Sequence, residues 1–417
     1  MARRILVYAD WDGLPEIAEF GTLTADISRG NEIFSFEYSP SWLQSPQAQL
    51  LDPDLQLYAG PQYLNDDKPN FGMFLDSSPD RWGRMLMKRR EAITARQEER
   101  KPVSLNESDF LLGVFDGTRM GGLRFKTTAD GEFLSHVAEL AAPPWIALRD
   151  LEYASLRLET EDMSATEELR WLNMLIAPGS SLGGARPKAS VTDPEGNLWM
   201  AKFPSANDEY DMGAWEMVVL ELALIAGIKV SPAQLQQFSG KHRTFLTSRF
   251  DRVGGNRRVH FASAMTLLGQ QDGADFHSGS SYLDMVEFII RNGSNVKENL
   301  KELWKRVVFN ILVKNTDDHL RNHGFLLRDN GWELSPAYDM NANPQGRGLT
   351  LNISENDNSL DPELALSVAV HFRLKLEDAK VMLEQIKNAV AQWPKIATKY
   401  KLPRREQENM DSAFSIS

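Results

Sequence analysis

The chain has 417 residues, 42% hydrophobic and 25% charged, with no long biased tract, which excludes a disordered or fibrous polypeptide and leaves room for two or three structural units. Zero cysteines exclude disulfides, thiolate metal sites and cysteine nucleophiles, and are compatible with the reducing cytoplasm in which the chain is expected. A net charge of −12 argues against a surface built to track phosphate backbones, a local basic patch aside, so nucleic-acid contact is expected mainly through a partner.

The opening MARRILVYADWDG lacks the apolar run of a signal peptide. RILVYA (4–9), EIFSFEY (32–38) and LRFKT (123–127) read as strands of a sheet-rich unit. After the Ser78-Pro79 start signal, DRWGRMLMKRREAITARQ reads as a helix whose basic residues Lys88, Arg89, Arg90 and Arg96 are expected on a solvated face. The Pro-containing stretch 128–150 reads as a connection, and SATEELRWLNML (164–175) as a helix with Ser164 at the N-cap and Glu167 at the capping-box position.

Strands KASVTD (188–193) and LWMAKF (198–203) flank a PEGN turn and predict a hairpin. The helix GAWEMVVLELALIAG (213–227) follows, stopped by Gly227, and then the strands QLQQF (234–238) and FLTSRF (245–250). The apolar stretch at 218–228 contains Glu221 and is too short to span a bilayer, so no membrane association is expected. Beyond residue 255 the pattern is mainly helical: FASAMTLL, YLDMVEFII, NLKELWKRVVFNILVKN, LALSVAVHFRL and LEDAKVMLEQIKNAVAQW carry i, i+3, i+4 apolar spacing.

Chemistry concentrates in NTDDHLRN (315–322), a polar loop between a helix and the short strands expected in HGFLLRD and WELSPAYDM. Asn322 lies five residues after Asp317, and Asp339 lies 22 after it. A carboxylate, an asparagine and a second carboxylate in that order suit phosphoryl transfer: one accepts the proton of a hydroxyl, the other two offer hard oxygens to Mg²⁺. A capped loop without chemistry, or a zinc or iron site using His319 and His323, are the rival readings. Upstream, PGSSLGGARPKA (178–189) supplies glycines for close backbone approach to phosphates, and Lys202 occupies a strand 18 residues after Gly184. Glu216, or else Glu221, is the candidate partner of Lys202.

Taken together, SSPDRWGRML (77–86), SSLGGARPKA (180–189), LTSRFDR (246–252), NTDDHLRNHGFLL (315–327) and LSPAYDM (334–340) make the chain resemble the HipA family of bacterial serine/threonine kinase toxins. The resemblance implies an α+β, two-lobed protein-kinase-like fold with an N-terminal β-rich subdomain (1–140), a small lobe (141–255) and a helical large lobe (256–417). It further implies ATP and Mg²⁺, a translation component of the aminoacyl-tRNA synthetase class as substrate, and inhibition by a HipB-like helix-turn-helix antitoxin that carries the contact with operator DNA.

Residue by residue, the resemblance makes Asp317 the catalytic base, and Asn322 and Asp339 the metal ligands. Gly183, Gly184, Ala185, Arg186, Pro187 and Lys188 match the nucleotide-facing loop, and Lys202 the phosphate lysine. Ser248, Arg249 and Phe250 match the adenine hinge, and His319 and Tyr338 fall on nucleotide-side positions. Ser181, with Ser180 as second choice, matches the autophosphorylated serine. The chain departs from ordinary protein kinases in having GGARPK for G-x-G-x-x-G and AYDM with no DFG. Asp318 has no assigned role, and His319 is expected to anchor the loop from beneath. A kinase-shaped repressor subunit with little catalysis, and a small-molecule kinase, are the competing functions.

Overall fold

The computed structural model describes residues 2–414 except 29, 65–67, 161–163, 177–183, 185 and 239. The chain divides into unit 1, Met1–Ala206 with Asp251–Ala262, and unit 2, Asn207–Phe250 with Ser263–Ser417. Of the segment 141–255 expected as a small lobe, the part up to 206 and the last residues from 251 lie in unit 1, and 207–250 in unit 2.

Unit 1 opens with β1 (Arg3–Ala9), β2 (Ala18–Ser28), β3 (Asn31–Tyr38), β4 (Gln62–Tyr63) and β5 (Leu123–Lys126), ordered β4-β3-β2-β1-β5 in an antiparallel sheet. In β1 the alternation sends Ile5, Val7 and Ala9 fully inward, the period of two expected of a strand with one buried face. Phe20, Phe36, Phe74 and Trp42 pack in tilted and edge-on pairs at ring-centroid separations of 4.9–5.7 Å. Each such burial contributes about 1.5–3 kcal/mol. The sequence reading omits β2, whose AEFGTLTADIS has small residues and a glycine; its central place is fixed by pairing on both sides. Gly21 is required there, because an added Cβ would lie 2.3 Å from the Glu37 carbonyl.

Helix α1 (Arg81–Gln97) starts where expected, with Asp80 Oδ1 accepting the Gly83 N–H at 2.9 Å. Its basic side is not simply solvated. Lys88 and Arg96 are exposed, but Arg89 and Arg90 are half-buried, and Arg89 pairs with Glu168 and donates to the Leu158 carbonyl. The partners come from α2 (Leu148–Thr160) and α3 (Ala165–Ile176). Ser164 caps α3 as expected, exchanging hydrogen bonds with Glu167. Helix α2 takes over the end of the supposed connection: Leu148, Leu151, Ala154 and Leu158 are buried at helical spacing. Strands β6 (Lys188–Thr192) and β7 (Leu198–Lys202) form the expected hairpin, closed by Asp193 and Asn197 and by Gly196 at φ +85°.

Unit 2 begins with α4 (Met212–Ile225), capped by Asp211 and stopped by Gly227 at φ +73°. The antiparallel strands β8 (Ala233–Gln236) and β9 (Thr244–Ser248) follow. Then come α5 (Tyr282–Asn292), α6 (Val296–Leu312), the hairpin β10 (Gly324–Arg328) and β11 (Gly331–Leu334), and α7 (Leu376–Val390). Helix α6 is the axis of this unit: Leu300, Leu303, Trp304, Val307, Val308 and Ile311 have no exposed surface.

Three helical or strand expectations shorten. FASAMTLL splits into a strand, Phe261–Ser263, and a single turn, Ala264–Leu267, because Ser263 caps the turn by accepting the Thr266 N–H. LALSVAVHFRL is helical only within Pro362–Ser367. WELSPAYDM leaves the strand at Leu334, just before Ser335-Pro336. Among the described residues no helix is long and apolar enough to cross a membrane.

Candidate active site

Helix α6 aims the NTDDHLRN loop. At its end the Asn315 N–H donates to the Asn310 carbonyl at 2.9 Å and the Lys314 N–H to that of Ile311 at 3.3 Å. This is the Schellman ending, with Lys314 at φ +47° in the left-handed position usually held by glycine. The chain then presents Asp317 exposed, Asp318 buried and His319 half-buried. Asn322 Nδ2 donates to the Asp317 carbonyl at 3.0 Å, and its N–H to the His319 carbonyl at 2.8 Å. The five-residue step read from the sequence is therefore a closed turn: Asn322 fixes the backbone of Asp317.

Asp318 acquires the role it lacked. Its Oδ2 accepts hydrogen bonds from Tyr282 Oη at 2.5 Å, His323 Nε2 at 2.7 Å and Asn310 Nδ2 at 2.8 Å. Burial alone would push this carboxyl up, but neighbouring His323 and the hydrogen bonds from His323 and Tyr282 hold it below the usual carboxylate range. Burial, and after it the Asp318 charge, push the Tyr282 hydroxyl well up. The anchor beneath the loop is thus His323, not His319, which stands at the N-cap position of the 3₁₀ turn Leu320–Asn322 without a side-chain cap bond. His323, half of the metal pair in the rival reading, spends its Nε2 on Asp318.

The AYDM segment is braced against the same loop. Tyr338 Oη donates to the Arg321 carbonyl at 2.6 Å, the Asn341 N–H to Asn315 Oδ1 at 3.1 Å, and Thr350 Oγ1 to the Thr316 carbonyl at 2.7 Å. Asp339 sits at φ +57°, a conformation that costs a non-glycine residue about 1–3 kcal/mol and recurs at functional sites. Phe250 packs on Tyr338, ring centroids 5.4 Å apart. Beside it Ser248 is half-buried, its N–H donating to the Pro232 carbonyl at 2.9 Å, and Arg249 is buried.

Asn322 Oδ1 is buried with no hydrogen-bond donor, and leaving such an acceptor unmatched costs about 1–3 kcal/mol. With the Asp339 carboxylate it is the kind of hard oxygen donor that Mg²⁺ takes, so the residues present fit that ion. Among the described residues no group of three or more His, Cys, Asp or Glu could hold a metal.

In unit 1, Gly183, Ala185, Ser180 and Ser181 lie outside the described residues. Gly184 is exposed, Arg186 half-buried and Pro187 buried. Lys188 is buried, its ammonium 2.6 Å from Asp80 Oδ2 and 2.8 Å from the Gly184 carbonyl. Lys202 is half-buried and stands directly across the hairpin from Lys188. Of its two candidate partners, Glu221 is bound to Lys399 and Tyr400, while Glu216 is buried on α4.

The sequence reading gave no role to Tyr282, Asn310, Asn315 or Asp80, and weighed His323 only as half of a metal pair. For Asn310 a signal existed, a polar residue on the apolar run VVFNIL; the others need the fold.

The family model described as HipA-like C-terminal domain matches residues 180–393, a little more than half of the chain. The chain belongs to the HipA family. The Shewanella oneidensis serine/threonine-protein kinase toxin HipA is 23% identical over 256 residues, 55% of this chain and 58% of that protein. Relatives in Haemophilus influenzae and Sinorhizobium fredii are 26% identical over 181 and 182 residues. The chain spans 41–58% of the length of these curated relatives. A solved complex of Shewanella oneidensis MR-1 HipA, HipB and operator DNA matches with a TM-score of 0.66 at 16% identity, over 98% of this chain and 94% of that one. The α+β, kinase-like HipA fold is therefore that of this chain.

Proposed function

We propose that this HipA-family chain is an ATP-dependent serine/threonine protein kinase and the toxin of a toxin–antitoxin pair. The observation that carries the reading is the turn in which Asn322 Nδ2 holds the backbone of exposed Asp317 while Asn322 Oδ1 meets no donor. Asp317 accepts the proton of the attacking serine or threonine hydroxyl. Asn322 and Asp339 would hold Mg²⁺, which when bound offsets the charge on the transferred phosphoryl oxygens.

The glycine segment 183–188 and Lys202 receive phosphates, and Ser248, Arg249 and Phe250 the adenine, with His319 and Tyr338 beside the nucleotide. Packing of Phe250 on Tyr338 supports an apolar seat for the base. Ser181, or Ser180 beside it, is the autophosphorylated residue. The substrate is a translation component of the aminoacyl-tRNA synthetase class, and the protein works in the cytoplasm. The neighbouring solved complex supports a HipB-like antitoxin as partner, with operator DNA reached through it.

The test is the intact mass of purified protein after incubation with ATP and Mg²⁺. One added phosphate mapping to Ser181 or Ser180, and absent in Asp317→Asn, is expected. An unchanged mass together with no phosphate on a panel of synthetases overturns the kinase reading in favour of a kinase-shaped repressor subunit.

A further inference from the structure

Lys188 and Asp80 form an ion pair far apart in sequence and almost fully enclosed, with side-chain exposures of 2% and 4%. Taking both charges out of water is costly, and geometry this close is needed to offset it. The pair is not isolated. The Asp80 carboxylate uses its other oxygen to cap α1 through the Gly83 N–H, and Trp82 Nε1 donates to the Lys188 carbonyl at 3.2 Å. Thus the SSPDRWGRML stretch grips both the main chain and the ammonium of Lys188.

From Lys188 the linkage runs two ways. The ammonium holds the Gly184 carbonyl at 2.8 Å, so it fixes the backbone at that glycine. In the antiparallel register Lys188 is also the direct partner of Lys202. Opposite residues share a face of the hairpin with Cβ atoms about 4.5–5.5 Å apart, and like charges so placed repel. The Asp80 carboxylate neutralises one lysine of that pair.

We infer that Asp80 is a positioning residue of the nucleotide site: through Lys188 it holds the Gly184 backbone and lets a second lysine, Lys202, stand opposite without mutual repulsion. This rests on the nucleotide reading of the glycine segment given above. It reassigns Lys188 from a phosphate ligand to a strut, and makes SSPDRWGRML part of the kinase machinery.

The experiment titrates the wild type, Asp80→Asn, Lys188→Met and the double variant with Mg²⁺ and the β,γ-imido analogue of ATP, following affinity alongside urea unfolding. Asn at position 80 still caps α1 through its one oxygen, so Asp80→Asn removes the charge and the acceptor that Lys188 uses while sparing the cap. Asp80→Asn is expected to weaken the analogue about tenfold or more, with the loss in turnover falling on KM for ATP more than on kcat. The double variant is expected to recover stability, having no unpaired buried charge, but not affinity. Asp54→Asn, which breaks the ion pair with Lys68 instead, is the control expected to bind normally. Wild-type affinity in Asp80→Asn, or recovery of affinity along with stability in the double variant, overturns the inference alone. A wild type that does not bind the analogue overturns the nucleotide reading and the inference with it.

Discussion

Two buried carboxylates support loops in different ways. In unit 2, Asp318 is satisfied by three hydrogen bonds, from a tyrosine, an asparagine and a histidine, on three different elements of the fold. In unit 1, Asp80 faces a full ammonium. The first arrangement distributes one negative charge over neutral dipoles and an imidazole, and locks a backbone whose neighbouring residue, Asp317, must stay exposed. The second matches charge with charge, so removing either partner strands the other. The difference separates a loop rigidified by a network from one backbone carbonyl, that of Gly184, held by a charge-paired ammonium.

The largest expected effect tests the contrast within the Asp317-Asp318 pair itself. Asp317→Asn should lower phosphoryl transfer about 10²–10⁴-fold, with urea stability unchanged within about 0.5 kcal/mol because the side chain is exposed. Equal losses of stability and activity in this variant would erase the distinction between the two aspartates. Asp318→Ala should do the reverse first: by leaving buried donors unmatched it should cost about 3–5 kcal/mol in urea unfolding, and activity should fall as the loop loosens.

A smaller effect concerns pH. The folded-state pKa of Asp318 is depressed, so its contribution to stability is fully present above the unfolded carboxylate value of about 3.9 and is lost as pH falls below that through the folded value. Urea midpoints of wild type and Asp318→Asn should therefore differ near neutrality and converge in acid. A constant gap at every pH would mean that the network does not depend on the charge. Smallest of all, Lys314→Gly should raise stability by about 0.5–1 kcal/mol, since glycine takes φ +47° without strain. Destabilisation on that substitution would show that the lysine side chain, not the loop ending, matters.

The turn that joins Asp317 to Asn322 was legible in the sequence because its signal is local: a polar loop of fixed spacing between a helix and a hairpin, with Asp339 five residues beyond that hairpin's last strand. Strands with plain alternation and helices with caps, such as β1 and α1, were legible for the same reason, since their signals are local. Only the tertiary structure decided which of two adjacent aspartates is exposed and which histidine is the anchor. It also began α2 within the last residues of the expected connection, and brought the Lys188 ammonium onto Asp80, 108 residues away. Burial, and the pairing it demands of every charge it encloses, is a property of what folds against a residue and leaves no trace in its immediate neighbours along the chain.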